Sequence, residues 1–394
     1  MAEQKTHRYL EKLIQEDALK LGKMAFISGP RQVGKTTLAR HFLESDENYF
    51  SWDIAAFRKE WVKSPEQATS RRRSGPIILD EIHKNRQWKS QLKGLYDVHC
   101  KQLAIIVTGS ARLDIFRRGG DSMLGRYLPY RLHPFSVGEK ATTPSHDAVW
   151  NSETKPAYPW RDLMRLGGFP EPLFDGSEAR AKRWSRLRLD RLVQEDVRDL
   201  RNISDLQSLK VLTDLLPERV GSLLSMNSLR GDLSVAYGTV RNWIHVLEAL
   251  YHCILIRPYA GTLRRALTAE PKLYLYDITQ IEDEAARREN LAALHLLKAC
   301  QYWTDAGEGE FDLRFFRTKE KREIDFVIIK GKKPWMLIEC KSNSKSPVQD
   351  LVHYAKAFGT KLNVQLVQGE RYRKDFPALG VRVQDYESFF ANWC

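Results

Sequence analysis

The chain has 394 residues, of which 42% are hydrophobic and 29% charged, a composition typical of folded globular protein that excludes a disordered or collagen-like chain. At about 100–200 residues per domain, this length predicts two or three domains. The net charge of +13 favours a polyanionic partner such as DNA, although a basic surface that only maintains solubility is the alternative.

The cysteine pattern and the N-terminus indicate the cell compartment. The five cysteines are scattered and none forms a CxxC pair, which indicates reduced thiols and argues against a disulfide framework or a zinc site. Residues 1–22 are predicted to form an amphipathic helix without the uninterrupted apolar core of a signal peptide. Since no stretch approaches the ~18–20 apolar residues of a membrane span, we expect a cytoplasmic protein with no membrane association. The apolar residues at helical spacing are Tyr9, Leu10, Leu13, Ile14 and Ala18.

Residues 23–140 show short apolar runs that alternate with helical patterns. Strands separated by helices predict a parallel sheet with helices on both faces, which is an α/β fold. The predicted strands are Met24–Ser28, Tyr49–Asp53, Ile77–Asp80 and Ala104–Thr108.

The rest of the chain divides into a helical region and a second α/β region. Residues 141–202 are predicted to form a connector and a helical lid. In residues 203–270, three helices followed by a short strand predict a winged helix, and these helices are Leu206–Leu216, Asn227–Leu233 and Tyr237–Tyr251. Residues 271–394 are predicted to form the second α/β domain, with elements at Glu284–Cys300, Leu313–Phe316, Ile324–Ile329, Met336–Cys340, Asp350–Phe358 and Asn363–Val367.

A phosphate-binding loop follows the first predicted strand. The segment matches the pattern G-x-x-x-x-G-K-S/T without a mismatch, and its residues are Gly29, Pro30, Arg31, Gln32, Val33, Gly34, Lys35 and Thr36. Glycines allow the tight backbone turn whose N–H groups surround phosphate oxygens, and the following helix directs its positive N-terminal end at the anion. Lys35 is expected to contact the β- and γ-phosphates of ATP and the Thr36 hydroxyl to bind Mg²⁺, with Thr37 completing the loop.

Two acidic residues end the apolar run that starts at Ile77. Enzymes with this loop need a carboxylate to hold Mg²⁺ and a group to orient the attacking water, roles that suit Asp80 and Glu81 respectively. Ser110, just after the predicted strand Ala104–Thr108, is a candidate sensor of the γ-phosphate, and an ordinary end of the strand is the alternative.

Arg126 is a candidate arginine finger. It follows a glycine-containing segment, and a guanidinium at such a place can complete the nucleotide site of a neighbouring subunit. Because three other arginines lie close in sequence, a solvated surface arginine is the alternative. The neighbouring arginines are Arg117, Arg118 and Arg131.

Taken together, these segments resemble the prokaryotic AAA+ ATPases that carry an AAA domain followed by a C-terminal domain of unknown function. The resemblance covers nearly the whole chain and rests on the following segments: Gly29–Leu38, Leu79–Ile82, Leu92–Lys93, Thr108–Ser110, Gly125–Arg126, Leu132–Ser136, Glu139, Gly167–Pro170, Pro271–Tyr274 and Asp277. It implies an AAA+ fold, ATP hydrolysis, a ring-like homo-oligomer and winged helices that contact DNA. One departure is Ser110, which stands where AAA+ sensors commonly have asparagine.

The C-terminal region resembles the core of PD-(D/E)xK nucleases. Asp325 lies on one predicted strand and Glu339 and Lys341 end the next, so that a hairpin between them brings the three together. In that fold two carboxylates hold a divalent metal and the lysine positions water, and Glu289 on the preceding helix is a fourth candidate. A fold retained only to hold DNA is the alternative to an active nuclease.

The predicted winged helix offers candidate DNA contacts. Arg241 and Asn242 lie near the start of the helix that would enter the major groove, with Ser234 as its expected N-cap. Further basic candidates on the wing side are Arg257, Arg264 and Arg265. The alternative is a winged helix that serves only as a packing module.

The sequence thus predicts an AAA+ ATPase that binds and hydrolyses Mg-ATP and couples this reaction to DNA binding or remodelling. Two alternatives stay open: an ATP-gated, metal-dependent nuclease, and a nucleotide-dependent switch that recruits a protein partner.

Overall fold

The computed structural model describes residues 7–99, 103–109, 123–139, 145–150, 154–197, 205–260 and 269–394. The chain forms two compact units. The first comprises Met1–Pro134 and Ala249–Tyr251, and the second comprises Phe135–Glu248 and His252–Cys394.

The first unit is built on a parallel sheet with the strand order β2-β3-β4-β1-β5. Every pairing in it is parallel, which confirms the predicted α/β fold. The strands are β1 (Met24–Ser28), β2 (Tyr49–Ser51), β3 (Ile77–Asp80), β4 (Ile105–Thr108) and β5 (Tyr127–Arg131). The sequence did not predict β5, which contains Pro129. Proline is compatible with a strand at the edge of a sheet, and β5 is such a strand.

Helices cover this sheet and bury an apolar core that includes Phe26, Trp61 and Leu92. Within the described residues of the first unit, the helices are α1 (Glu11–Leu13), α2 (Lys35–Arg40), α3 (Ala55–Lys63), α4 (Pro65–Ala68) and α5 (Trp88–His99). A π-helical segment, Ile14–Leu19, continues α1. Of the five apolar residues predicted at helical spacing in this N-terminal segment, Tyr9, Leu10, Ile14 and Ala18 are buried and Leu13 is partly exposed; Tyr9 and Leu10 lie in a turn before α1.

The second unit begins with helices and a small sheet. The first three helices are α6 (Trp160–Leu166), α7 (Pro170–Asp175) and α8 (Glu178–Arg191), and a π-helical segment Leu192–Val197 extends α8. The next three are α9 (Leu206–Leu215), α10 (Met226–Leu233) and α11 (Tyr237–Ala249). The antiparallel strands β6 (Cys253–Ile256) and β7 (Lys272–Leu275) follow.

The expected role of Ser234 was wrong. Ser234 is the C-cap of α10 and adopts a left-handed backbone conformation with φ 54°. Ala236 instead precedes α11 and accepts the first backbone hydrogen bonds of that helix. A small polar residue between two helices can serve as the C-cap of the first or as the N-cap of the second. Here the left-handed turn that ends α10 makes Ser234 the C-cap.

The C-terminal part is a mixed sheet with the order β12-β13-β11-β10-β9-β8. Its strands are β8 (Phe311–Arg317), β9 (Glu323–Lys330), β10 (Lys333–Cys340), β11 (Leu362–Val367), β12 (Arg373–Phe376) and β13 (Val381–Asp385). Its helices are α12 (Glu284–Asp305), α13 (Gln349–Phe358) and α14 (Tyr386–Phe390). Residues of β9, β10 and α13 form an apolar core against one face of the sheet.

In the described part of the chain, no helix is long and apolar enough to cross a membrane.

Candidate functional site

The phosphate-binding loop connects β1 to α2 and has an unusual backbone. Gly29 has φ 149° and Gly34 has φ 97°, and even Gln32 has a positive φ of 64°. A Cβ atom on Gly29 would lie 2.3 Å from the carbonyl oxygen of Leu132. Only glycine therefore fits at position 29, since any side chain would meet backbone and would also be strained by the positive φ.

Lys35 and Thr36 are the first residues of α2, at the mouth of this loop. The buried ammonium group of Lys35 donates to the carbonyl oxygens of Gly29 (3.0 Å) and Pro30 (2.7 Å). The Thr36 hydroxyl lies 3.3 Å from Oδ2 of Asp80. The structure thus brings together the lysine that suits phosphate and two oxygen groups of the kind that Mg²⁺ prefers.

Asp80 ends β3 and accepts hydrogen bonds from three hydroxyl groups. Besides Thr36, the hydroxyl of Tyr49 donates to Oδ2 at 2.6 Å, and the hydroxyl of Thr108 donates to Oδ1. Burial, and then the hydrogen bond to Asp80 and its charge, raise the pKa of Tyr49 to about 12. These donors fix the carboxylate in one orientation at the carboxyl end of the sheet.

Sequence reasoning did not find Tyr49 and Thr108 as site residues. Both lie on strands that flank β3, in the registers Tyr49↔Ile78 and Asp80↔Thr108. A sequence signal did exist for Thr108, which ends its strand as Asp80 ends β3, so that both lie at the same sheet edge; Tyr49 begins β2 and gives no such signal. The strand order that makes β2 and β4 the neighbours of β3 was the missing information.

Glu81 directly follows β3 and has a left-handed backbone with φ 57°. Its carboxylate lies 3.5 Å from Nε2 of His83 and 3.7 Å from the ammonium of Lys84. Burial raises the pKa of Glu81, while the charges of Lys35 and Lys84 oppose that effect. A carboxylate with a raised pKa is a better proton acceptor, which suits the expected role of Glu81 toward water.

The N-terminal segment supports the loop from the side. The buried guanidinium of Arg8 donates to the carbonyl oxygens of Val33 (3.0 Å) and His133 (2.5 Å). Tyr9 donates to the carbonyl of Arg131, and its hydroxyl oxygen accepts from the backbone N–H of His133 (3.1 Å). The segment therefore holds the chain after β5 next to the phosphate-binding loop.

The remaining loop candidates differ in exposure. Val33 is buried, Arg31 is partly exposed and Thr37 is exposed. Val33 therefore contributes packing and a backbone group, whereas the side chains of Arg31 and Thr37 are accessible. Ser110 lies outside the described residues.

Arg126 lies at the end of the sheet opposite the phosphate-binding loop. Its carbonyl accepts from the N–H of Met24, the first residue of β1, whereas the loop follows the last residue of that strand. Its guanidinium forms two hydrogen bonds with Asp97, at 2.6 and 3.2 Å. A strand of five residues spans roughly 17 Å, so Arg126 cannot reach a nucleotide bound to its own chain.

In the second unit, the structure brings together the four residues of the nuclease-like prediction. The backbone N–H of Asp325 donates to Glu339 (3.3 Å), and a carboxylate oxygen of Asp325 accepts from the N–H of Cys340 (2.9 Å). The ammonium of Lys341 lies 2.7 Å from Glu339. Glu289 on α12 faces the same cluster and adds to the raised pKa of Cys340.

A lysine that sequence reasoning missed lies among these carboxylates. The ammonium of Lys272, on β7, is 3.2 Å from Glu289, 2.5 Å from Glu323 and 3.7 Å from Asp325. Its side chain is only 3% exposed. Burial alone would lower the pKa of Lys272, but the charges of the three carboxylates outweigh burial and raise it. Tyr274 on the same strand donates to Glu289 (2.7 Å).

Lys272 therefore supplies one positive charge to the carboxylate cluster from within the protein and offsets part of its negative charge. Burial, and then the charge of Asp325, raise the pKa values of Glu289 and Glu339, so the protonated form of both carboxyl groups is favoured. Among the described residues, no group of three or more His, Cys, Asp or Glu side chains is arranged to hold a metal ion. The four residues of the nuclease-like prediction do lie together, but the positive charges nearest to their carboxylates are lysine ammonium groups.

The predicted DNA contacts lie partly outside the described chain. Arg241 and Asn242 are exposed on α11, and Arg257, after β6, is partly exposed. Val240, Trp243 and Leu247 form the buried face of α11, whereas Tyr237 is 44% exposed. Arg264 and Arg265 are not among the described residues.

Three family models match successive parts of the chain. Residues 22–141 match an AAA domain, residues 158–279 a domain of unknown function (DUF8612), and residues 286–378 another domain of unknown function (DUF4143). The first match supports a P-loop ATPase domain of the AAA type. It covers the sheet, the phosphate-binding loop, and Asp80 and Glu81.

The chain is also similar to several bacterial and archaeal proteins. It is 24% identical over 322 residues to uncharacterized proteins of Mycobacterium tuberculosis and Mycobacterium bovis, across 75% of this chain and 68% of each of them. It is 27% identical over 221 residues to an uncharacterized protein of Methanocaldococcus jannaschii, across 50% of this chain and 45% of that protein.

A solved structure, that of the Aeropyrum pernix Orc1 protein in complex with DNA, matches at 15% identity and a TM-score of 0.30, across 73% of this chain and 92% of that chain. A likeness at this TM-score carries no inference from that complex to this chain.

Proposed function

We propose that the first unit binds and hydrolyses Mg-ATP and that the chain couples this reaction to DNA binding or remodelling. The observation that carries the ATPase proposal is the convergence of Lys35, Thr36 and Asp80 at the phosphate-binding loop. The Thr36 hydroxyl and Asp80 carboxylate are 3.3 Å apart, and the lysine lies at the mouth of the loop. A structural lysine in a turn would not require the glycine backbone found at Gly29.

The residues of the loop would divide the work of binding. Backbone N–H groups between Gly29 and Lys35 and the N-terminal end of α2 would bind the β-phosphate. The ammonium of Lys35 would exchange its two carbonyl partners for phosphate oxygens, a stronger, charge-assisted contact. Arg8 would keep the carbonyl of Val33 turned away from the phosphates.

The oxygen donors fit Mg²⁺, a hard cation that favours carboxylate, hydroxyl and phosphate oxygens. Thr36 and Asp80 would hold the Mg²⁺ ion, and Asp80 would do so either directly or through a bound water. When bound, Mg²⁺ neutralises charge that develops on the phosphates in the transition state. Tyr49 and Thr108 would keep Asp80 oriented toward it.

Glu81 would orient the attacking water and accept its proton. Glu81 directly follows Asp80 in the chain, and the positive charge of Lys35 acts on its carboxylate. The raised pKa of Glu81 suits a proton acceptor that works near neutral pH. Lys84, at 3.7 Å, would limit that rise and keep the carboxylate ionised at the start of the reaction.

Coupling to DNA is supported by charge and by the α9–α11 region. The net charge of +13 favours a polyanionic partner. The helix α11 is followed by a small antiparallel sheet, which is the arrangement of a winged helix, and its exposed residues Arg241 and Asn242 suit contacts with DNA. We further propose a ring-like homo-oligomer in which Arg126 leaves Asp97 and contacts the nucleotide of a neighbour, since it cannot reach its own.

Lys272 weighs against a metal-dependent nuclease in this state. Binding of a divalent cation at the cluster would require displacement of an ammonium that makes ion pairs with three carboxylates. The fold can still hold DNA without cutting it.

ATP hydrolysis by the full chain, measured with and without duplex and branched DNA at 50 and 200 mM salt, tests the coupling. We expect DNA to stimulate hydrolysis, and the stimulation to weaken at the higher salt because phosphate contacts release counterions. The Arg241→Gln/Asn242→Ala variant should keep basal hydrolysis and lose stimulation. Hydrolysis that no DNA alters would contradict coupling to DNA and favour a nucleotide-dependent switch that acts on a protein partner.

A further inference from the structure

A groove in the second unit joins the carboxylate cluster. A cavity of about 960 Å³ is lined by α6, the start of α12, and the loop that follows β11. A smaller cavity of about 280 Å³ is lined by Glu289 and Lys341 of the cluster. Arg288 and Tyr386 line both cavities, so the two form one continuous concave surface, which we term the α6–α12 groove.

The basic side chains in this groove outnumber the acidic ones. Its basic lining residues are Arg161, Arg165, Arg287, Arg288, Lys341 and Arg371, and its acidic ones are Glu284, Glu289, Glu370 and Glu387. Two of the acids already have partners, because Glu284 binds Arg288 (2.6 Å) and Glu289 binds Lys272 (3.2 Å). Arg288 and Lys341 are paired as well, with Glu284 and Glu339, so the excess of positive charge in the groove comes from the remaining arginines.

Two of these arginines are available to an anion. Arg161, on α6, and Arg371, after β11, are exposed. Within the described chain neither makes an ion pair with a protein carboxylate. Arg371 also has a positive φ of 53°, a conformation that is uncommon for a residue with a long side chain. The two stand on different elements of the wall of the larger cavity, so a polyanion that lies in it can contact both.

A flat aromatic wall lies beside these charges. The partly exposed ring of Trp160 stacks on the ring of Tyr386 at 4.8 Å and on that of Phe390 at 5.6 Å, with interplanar angles of 19° and 9°. The stack holds the indole in one orientation on the groove wall. Aromatic planes next to spaced guanidinium groups suit unpaired nucleic acid, whose bases can stack on the protein, whereas the bases of a duplex stack on each other.

We propose that the α6–α12 groove binds single-stranded DNA, with phosphates on Arg161 and Arg371 and a base against Trp160, and that it leads the strand toward Lys341. This proposal rests on the proposed nucleic-acid role of the chain but places the strand on a surface distinct from the exposed face of α11. Lys341, at the far end, would meet a backbone phosphate, and its ion pair with Glu339 (2.7 Å) would weaken.

The test is the binding of fluorescein-labelled (dT)20 to the full-length chain, measured by fluorescence anisotropy between 0.05 and 0.3 M salt. The test variant is Arg161→Gln/Arg371→Gln. A matched control, Arg183→Gln/Arg186→Gln, removes two exposed arginines from α8, outside the groove. Each phosphate contact on a single strand contributes about −0.7 to the slope of log K against log salt. We therefore expect the test variant to bind about 25-fold more weakly at 0.1 M salt, with a slope shallower by about 1.4.

The control variant should bind like the wild type, and both variants should unfold at the wild-type temperature because the changed side chains are exposed. Wild-type affinity in the Arg161→Gln/Arg371→Gln variant would overturn the groove proposal and leave the ATPase proposal intact. A wild-type chain that hydrolyses ATP but binds neither (dT)20 nor duplex would overturn both the groove and the coupling to DNA. A loss of equal size in the control variant would show that only overall charge matters, and would also overturn the groove.

Discussion

Replacement of Tyr49 by phenylalanine removes one hydroxyl group from the carboxylate that we expect to hold Mg²⁺. The ring stays in place between β2 and the guanidinium of Arg40, which lies 4.2 Å from the ring centroid. What is lost is the 2.6 Å hydrogen bond to Oδ2 of Asp80. Thr108 still donates to Oδ1, and the Thr36 hydroxyl remains 3.3 Å from Oδ2. Asp80 therefore keeps two donors but loses the shortest hydrogen bond to Oδ2, which holds its carboxylate less firmly.

The size of the effect follows from the charge on the acceptor. A hydrogen bond to a charged group is worth about 1.5–3 kcal/mol. If the transition state needs Asp80 in its present orientation, loss of that free energy lowers kcat by about 10- to 150-fold, since each 1.36 kcal/mol is a factor of ten. The effect should appear in kcat and in the Mg²⁺ concentration needed for half activity, because Lys35 and the loop backbone still bind the phosphates.

Steady-state hydrolysis at varied Mg²⁺ and ATP measures both quantities. Tyr96→Phe is the matched control, because the Tyr96 hydroxyl donates at a similar distance, 2.7 Å, to the carbonyl of Gly22, before β1 and away from the loop. The control should keep wild-type kcat. If Tyr49→Phe hydrolysed Mg-ATP within twofold of the wild type, with unchanged Mg²⁺ dependence, the positioning role of Tyr49 would be refuted.

Three further changes probe other parts of the structure. Gly29→Ala should abolish nucleotide binding in equilibrium titrations while the chain stays folded, because its Cβ would lie 2.3 Å from a backbone oxygen; wild-type affinity would contradict the strained-loop geometry. Lys272→Met should destabilise the second unit by about 3–5 kcal/mol in urea unfolding, the cost of uncompensated buried charge, and Glu289→Gln added to it should restore part of the loss; no recovery in the double variant would count against the ion cluster. Burial lowers the pKa of His252 and of His295 to about 3, so the folded chain keeps both neutral while the unfolded chain takes up protons below pH 6.5. The stability they allow is complete above that pH and should fall by about 1.4 kcal/mol per pH unit for each histidine as the pH drops toward 3. Because the raised pKa values of Glu289 and Glu339 act in the opposite direction, the effect is measured as the difference in unfolding free energy between the wild type and a His252→Gln/His295→Gln variant; a difference that stays constant between pH 7.5 and 5.5 would disprove it.

The parts of the fold that sequence reasoning predicted are those with strong local patterns. β1, β3 and β4 are continuous apolar runs because a parallel sheet covered on both faces buries every residue. The phosphate-binding loop was evident because its glycines and lysine act within eight consecutive residues, from Gly29 to Thr36.

The strand β13 was missed. All five residues of β13 are buried, yet three of them are polar, so the segment shows no apolar run. Arg382 is buried because its guanidinium binds Asp375 (2.7 Å) and lies 4.0 Å from the ring centroid of Trp150. Those partners are 7 and 232 residues away in sequence, and no local pattern reveals them.

The same limit applies to the sites. Asp325, Glu339 and Lys341 could be grouped because a hairpin joins their strands. Lys272 could not, because in sequence it is one charged residue at the start of an apolar strand, 53 residues before Asp325. Only the packing of β7 against α12 and β9 places its ammonium among the carboxylates. That contact favours an interpretation of the cluster in which a buried ammonium group offsets part of the negative charge.

The most direct test of the central claim is Mg-ATP binding and hydrolysis by the wild type, Lys35→Ala and Glu81→Gln, measured in parallel on the full-length chain. We predict that the wild type binds and hydrolyses Mg-ATP, that Glu81→Gln binds it with near wild-type affinity but hydrolyses it at least about 100-fold more slowly, and that Lys35→Ala loses binding. Mg-ATP binding that survives in Lys35→Ala, or hydrolysis that survives in Glu81→Gln, would contradict the assignment of this loop and this carboxylate as the ATPase site.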